Sequence, residues 1–241
     1  MLFRSILNAA GIIIGGIAGL MFRGQISAAH QNFLKLALGA FTMFAGIRLT
    51  WQSVNGSAAQ VGKQIFCAFL ALILGRVLGR LLRLQKFSNR IGESARPQIS
   101  RVAAGHKPAW GDGFNTCAAL FCAAPLAVLG AVTDGLTGNF LPLAIKAVMD
   151  GLAAMGFAAM FGWSVAAAAL PVFVYQGTLT LVCGLIAAPF LEQHGLLDSV
   201  NAVSGLLMVF VAVVIFELRK VELADYLPAI AIAPLLAWLW R

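Results

Sequence analysis

Apolar residues in this chain come in long unbroken runs, separated by short polar turns, and they do not alternate with polar ones as they would in a strand with one wet face. Runs of this kind that are rich in Leu, Ala and Gly read as helices, and a helix needs about 20 apolar residues, about 17 at the short end, to cross a bilayer. Eight segments qualify or nearly so: Ser5–Phe22, Phe33–Trp51, Gln64–Leu82, Asn115–Thr133, Phe140–Phe161, Val165–Phe190, Ser199–Phe216 and Ala224–Trp240. The third carries Arg76, Arg80 and Arg83 at i, i+4 and i+7, on one helical face, so its second half is expected to emerge at the membrane surface. Gln85–Gly111 reads as a polar loop holding a short amphipathic element, with Pro97 and Pro108 as breaks.

Composition turns this pattern into a class. Of 241 residues, 61% are apolar and 11% charged, against about 45–50% and about 25% in a soluble domain. So few charges cannot cover a globule in water. A chain spanning lipid must satisfy its backbone within helices or a closed barrel, and the continuous runs select helices. The expected fold is an all-α polytopic membrane protein of about eight transmembrane helices, seven if one segment fails to span. Residues 1–241 form a single membrane domain, divided as 5–82, a basic cytoplasmic loop 83–112, central helices 113–162, and 165–240.

The formal net charge of +8 is unevenly placed. Arg76, Arg80, Arg83, Lys86, Arg90, Arg96, Arg101 and Lys107 fall in one stretch opposed by Glu93. With no soluble domain to present it, this cluster reads as a cytoplasmic topology signal and not as a nucleic-acid site. The alternative is attraction to anionic lipid, worth about 1 kcal/mol per basic residue at the surface. With the loop inside, eight spans put both termini outside, in the periplasm of a cell with an inner membrane. Arg23, Lys35, Arg219 and Lys220 then fall inside, and Leu191–Asp198, which has no Lys or Arg, falls outside. Arg48 and Lys63 fall outside and count against this arrangement. Arg4 followed by an apolar stretch has the look of a signal peptide, but the stretch runs to Phe22-Arg23 without a small-x-small cleavage site.

The chain also repeats. Asn8, Gly15-Gly16, a polar connector and Leu38-Gly39 are matched by Gln176, Cys183-Gly184, a connector and Ser204-Gly205, and a shift of 168 sets Asn8 on Gln176 and Gly16 on Gly184. Five spans separate the copies. An odd number inverts them, so 5–82 and 165–240 are expected to form an inverted-topology repeat of three-helix units, an arrangement in which transporters place their sites at the midplane. Gly and small residues recur in any membrane helix, and chance similarity is the competing explanation.

Few polar residues lie inside the spans. Lys146 and Asp150, at i and i+4 in the fifth, each cost about 2.5 to 3.5 kcal/mol at a helix centre, while each Leu, Ile, Val or Phe returns about 0.3 to 0.6. Leu141, Leu143, Ile145, Val148 and Leu152 cannot offset both, so this face must meet protein or water. The pair is either a site that exchanges a proton for a cation or a staple between helices. Asp134, in Thr133-Asp134-Gly135-Leu136-Thr137-Gly138-Asn139, is expected in a non-helical turn, as a ligand or as an ordinary Asx turn. Asn8 and Gln176 can bind an ion, a substrate or each other, or can simply hold helices together. Tyr175 and Thr178 stand beside Gln176, where Pro171 and Gly177 are expected to kink or break the sixth span.

Asn8 with Ile12-Ile13-Ile14-Gly15-Gly16, Gly130-x3-Asp134-Gly135-Leu136-Thr137-Gly138, Lys146-x3-Asp150-Gly151 and Tyr175-Gln176-Gly177 resemble the YqgA-like family of bacterial inner-membrane proteins over essentially the whole chain. Asn139 departs from the acid expected there. The resemblance implies this architecture and these residues, and it supplies no substrate.

The expected function is a membrane transporter or channel for an ion or small solute, with candidate binding residues Asn8, Asp134, Lys146, Asp150, Tyr175, Gln176 and Thr178. The competing reading is a scaffold or sensor whose buried polar residues only hold helices together. No nucleophile elbow, P-loop or zinc helix is present, His30, His106 and His194 lie in loops, and the four cysteines lack metal or redox spacing. No enzyme, metal or cofactor is expected. The partners expected are the lipid bilayer and a small ion or solute. Gly15-Gly16-x2-Gly19 serves packing within the chain or between two copies of a homodimer.

Overall fold

The computed structural model describes residues 2–21 and 27–240, and the side chains of 6–21, 27 and 29–240. Arg23, counted above with the cytoplasmic side, lies outside them. Every apolar segment folds as helix, and no strand occurs among the described residues. Among the described residues, five helical runs are long and apolar enough to cross a membrane: Ala29–Gln52, Ala58–Leu81, Leu141–Phe161, Ser164–Gln193 and Leu197–Ile215. A bent pair, Trp110–Ala123 with Pro125–Thr137, makes a sixth, and Ile6–Met21 and Leu223–Leu239 are shorter apolar helices. The chain is an all-α polytopic membrane protein.

In chain order the helices are α1 (Leu2–Met21), α2 (Ala28–Gln52), α3 (Ala58–Leu81), α4 (Leu84–Ser94), α5 (Arg96–Ala103), α6 (Trp110–Ala123), α7 (Pro125–Thr137), α8 (Leu141–Phe161), α9 (Ser164–Ala167), α10 (Ala169–Val182), α11 (Ala188–Gln193), α12 (Leu197–Ile215), α13 (Leu223–Tyr226) and α14 (Ala229–Leu239). Local chemistry sets their ends. Ser57 and Gln60 cap α3 reciprocally, and Asp112 accepts from the Ala109 N–H at 2.9 Å to open α6. Arg83 separates α3 from α4: its φ of 56° is left-handed, and a right-handed helix cannot run through it.

Small residues decide which helices approach closely. A β-carbon on Gly11, Gly15 or Gly19 of α1 would stand 2.6, 2.0 or 2.2 Å from the carbonyl oxygens of Ala147, Gly151 and Met155 on α8. Spaced by four, these glycines form one groove, and α8 lies in it backbone against backbone. Gly46 of α2 meets the Gly205 carbonyl of α12 in the same way, with Thr50 Oγ1 donating to Ala202 O at 3.2 Å. Gly75 and Gly79 of α3 abut Ala229 and Asp225. In addition, α1 packs on α10 and α3 on α14. The buried apolar side chains form two clusters, one around α2, α3, α7, α12 and α14, the other around α1, α6, α8 and α10.

Four expectations need correction. The fourth span is not continuous: α6 and α7 meet at 58°, because Pro125 lacks an N–H and excludes the α conformation at Ala124, whose ψ is 128°. The sixth span is not broken at Gly177, which is buried within α10. Its irregularities lie at Ala168, one turn before Pro171, and in a π-helical turn, Cys183–Ala187, just before Pro189. A proline deprives the carbonyl four residues earlier, so the disturbance precedes it. Residues 85–111 are mostly helical, as α4 and α5, and Pro97 does not break them because it occupies the first turn of α5, where no N–H is needed. Asp134 is helical as well. The chain turns only at Gly138, with φ 69°, whose N–H bonds to the Asp134 carbonyl at 3.0 Å.

Candidate functional site

α8 brings Lys146 and Asp150 to one face, a single turn apart, and the Gly11–Gly15 groove of α1 draws that face against Asn8. The three residues and Gln176 of α10 are all buried: Asn8 and Gln176 are 0% exposed, Lys146 2% and Asp150 5%. Lys146 Nζ pairs with Asp150 Oδ1. Asn8 Nδ2 donates to Asp150 Oδ2 at 3.1 Å and to Gln176 Oε1 at 3.0 Å. A carboxylate only accepts, so it dictates that Asn8 present its NH2 group, and Asn8 in turn dictates that Gln176 present its oxygen. The chain Lys146–Asp150–Asn8–Gln176 therefore runs in one direction across three helices.

Two atoms of this cluster are buried without a hydrogen-bond partner: Asn8 Oδ1, an acceptor, and Gln176 Nε2, a donor. Buried polar groups are normally satisfied, so an orphaned acceptor and an orphaned donor in one cluster suit a ligand that would complete them. Lys146 Nζ also lies over the ring of Phe121, 5.6 Å from its centroid. An aromatic face there attracts the ammonium without hydrating it. Phe121 belongs to α6, and its part in the site was not read from the sequence. Its position one turn before the Ala124-Pro125 break was the available signal.

The other sequence-derived candidates divide. Asp134 is buried on α7, one turn before its end. On α10, Val172, Gln176 and Thr180 form the buried row, and Thr180 Oγ1 donates to the Ala131 carbonyl of α7 at 3.1 Å. Tyr175, 36% exposed, and Thr178, also exposed, turn to other faces of the helix, so they are not brought to the cluster. The helical period of 3.6 separates neighbours in sequence by about 100°, so Thr180, and not Thr178, shares the buried face of α10 with Gln176.

Beside the bend between α6 and α7 lies a cavity of about 500 Å³. Gln85, Ser88, Asn89, Glu93 and Arg96 line its polar side, Leu120, Ala123 and Pro125 the other. Ser88 Oγ donates to the Ala123 carbonyl at 2.8 Å, at the last turn of α6. Asp225, a residue that sequence reasoning passed over, holds α4 in place. Its Oδ1 accepts from Gln85 N at 2.9 Å while Gln85 Oε1 accepts from Ala224 N at 3.0 Å.

Two relatives align over nearly the full length. The chain is 28% identical over 235 residues to "Uncharacterized membrane protein YdfK" of Bacillus subtilis (strain 168), covering 97% of this chain and 94% of that protein. It is 25% identical over 242 residues to "Uncharacterized protein YqgA" of Escherichia coli (strain K12), covering 100% and 98%. No solved structure matches. The family model for "Protein of unknown function (DUF554)" matches residues 3–238. Given that match across almost the entire chain, and the two full-length relatives beside it, this protein belongs to the DUF554 family.

Proposed function

We propose that the protein is a transporter or channel for an ion or small solute, with its site at the buried Lys146–Asp150–Asn8–Gln176 cluster. The observation that carries this reading is a charge pair in the apolar interior joined to two amides that keep one acceptor and one donor unpartnered. A cluster serving only to hold helices would gain by satisfying every atom, because each stranded buried group costs about 1–3 kcal/mol. Ionisable groups inside membrane helices are rare, and those that occur mark ion and substrate pathways.

The site sits between units related as an inverted repeat. In support, the residues matched by the shift of 168 are hydrogen-bonded to each other, and α1 packs on α10, α2 on α12 and α3 on α14. Elements beside a pseudo-twofold axis meet their own counterparts in this way. The cavity beside the α6–α7 bend serves as the cytoplasmic vestibule; Leu120, which lines it, is the chain neighbour of the Phe121 that meets Lys146. The membrane is the inner one, with both termini outside. Consistent with that, basic residues collect at one end of the molecule: Lys35 bonds to Glu217 at 2.6 Å and Arg80 to Glu222 at 2.9 Å, next to Arg219 and Lys220. At the other end Lys63, which counted against this orientation, donates to the Trp240 carbonyl and lies over its ring at 5.8 Å, so that it caps a helix C-terminus.

Flux into proteoliposomes tests the reading, with Na⁺, K⁺, H⁺ and small organic ions supplied in turn. One of them crosses through the wild type and none through Asp150→Asn that remains folded. Equal flux in both proteins, or no flux of any species, overturns transport through this cluster and leaves the scaffold reading.

A further inference from the structure

A second cavity, of about 400 Å³, lies at the end of the molecule opposite the Arg80–Glu222 pair, since Arg80 is in the last turn of α3 and the cavity is at its start. Three helices converge there: the start of α3, the start of α12 and the end of α14. Their lining residues fall in two layers one helical turn apart. Cys67 and Ala68 of α3, Ala202 of α12 and Ala233 of α14 form a buried floor. One turn nearer the surface, Lys63 of α3 and Asp198 of α12 line the same space and are exposed. Small side chains on the floor leave the gap between the helices unfilled, and its size falls in the range of about 300–1,000 Å³ common to small-molecule pockets.

The mouth of this cavity carries two opposite charges that do not neutralise each other directly. Asp198 forms neither a hydrogen bond nor an ion pair among the described residues. A lysine ammonium has three donors. Lys63 directs one to the Trp240 carbonyl and lies over the Trp240 ring, which fixes its position and leaves further donors for a ligand. Gln64, also on the wall, is bonded through both amide atoms to the Asn55 backbone and so serves as framework. A simple anion drawn to Lys63 would meet Asp198, and a simple cation drawn to Asp198 would meet Lys63. A molecule bearing both charges answers both residues.

We propose that this cavity binds a small zwitterion of the amino-acid type. Its carboxylate accepts from Lys63, its ammonium donates to Asp198, and an apolar side chain rests on the floor of Cys67, Ala68, Ala202 and Ala233. A zwitterionic lipid headgroup offers the same two charges, but its apolar part runs into the bilayer and would leave the floor uncovered. The occupant is therefore a free solute. The site is separate from the buried Lys146–Asp150–Asn8–Gln176 cluster, and it stands whether or not that cluster conducts.

The test is isothermal titration of the purified full-length chain in detergent with L-alanine, L-valine, L-leucine and L-phenylalanine. Isopentylamine and isocaproate, which are leucine without its carboxylate and without its ammonium, are titrated beside them. At least one amino acid binds, and neither analogue does. Lys63→Met and Asp198→Asn each weaken that binding by about tenfold or more, the loss expected of one hydrogen bond to a charged group. Both positions are exposed, so melting and elution profiles without ligand stay those of the wild type. The analogue series uses the wild type alone and decides the matter even where a variant misfolds. Absence of binding by every amino acid, equal binding of either analogue, or unchanged affinity in either variant overturns the proposal. Binding of dihexanoylphosphatidylethanolamine without binding of any amino acid overturns it too, in favour of a lipid headgroup.

Discussion

A single buried ion pair decides how Lys146 and Asp150 respond to mutation. Replacing either partner strands the other charge at a site less than a tenth exposed, and breaking such a pair costs about 3–5 kcal/mol, whereas replacing both by apolar residues of like volume is often neutral. Lys146→Met and Asp150→Leu should each lower the melting temperature markedly, and the double variant should recover most of the loss. A double variant as unstable as the sum of the singles would show that the two side chains do not act on each other. Asn8 answers to a different physics. Asn8→Ala leaves Gln176 Oε1 and one Asp150 oxygen short of a donor, at about 1–3 kcal/mol for the groups left unsatisfied. Asn8→Asp should be worse than Asn8→Ala, since it sets two carboxylates side by side, and thermal melts rank them.

At the scale of helices, contact is set by what a residue lacks. α1 can reach α8 because Gly11, Gly15 and Gly19 carry no side chain. In Gly15→Ala the new methyl would meet a carbonyl at 2.0 Å, which belongs to backbone and cannot step aside. The helices must separate, at the about 1–3 kcal/mol typical of overpacking, and the hydrogen bonds of Asn8 lengthen with them. Gly156 lies on the same helix as Asp150 but has open space where its β-carbon would go. Gly156→Ala should therefore keep or raise the melting temperature, by up to the about 1 kcal/mol by which Ala exceeds Gly in helix propensity. Equal effects at the two glycines would refute the groove. The bend at Ala124-Pro125 belongs to this scale too, since the cavity lined by Leu120, Ala123 and Pro125 lies beside it.

For the whole molecule, the distribution of charge is what supports the proposed orientation. A reporter fused after Ser100 and one at the C-terminus should give opposite signals, cytoplasmic and periplasmic. Matching signals would mean that one of the shorter or bent helices does not cross. The same basic end has a pH signature. Arg80 donates a hydrogen bond that holds the Glu222 carboxyl below its usual range. A depressed acid contributes stability that is complete above its unfolded pKa and is lost as pH falls through the folded value. Acidification below the carboxylate range should thus loosen α13 from α3, and thermal shift measured with pH in Glu222→Gln should lack that component.

Much of this was legible along the chain and the rest was not, for reasons that differ residue by residue. Hydropathy alone determined that every apolar run is helical, because lipid offers the backbone no other partner. The imbalance between two charges and their apolar neighbours determined that Lys146 and Asp150 face inward. The shift that pairs Asn8 with Gln176 named two residues that prove to be hydrogen-bonded. Pro125 was also legible, but the apolar run around it hid the bend, since hydropathy ignores the backbone donor that proline removes. What the chain could not decide is which face each helix turns to which neighbour. Tyr175 and Thr178 fell away because 3.6 residues per turn points them elsewhere, and Phe121 and Asp225 came in because helices far apart in sequence set them against Lys146 and Gln85. Close approach across glycine depends on two surfaces at once, and only the folded molecule holds both.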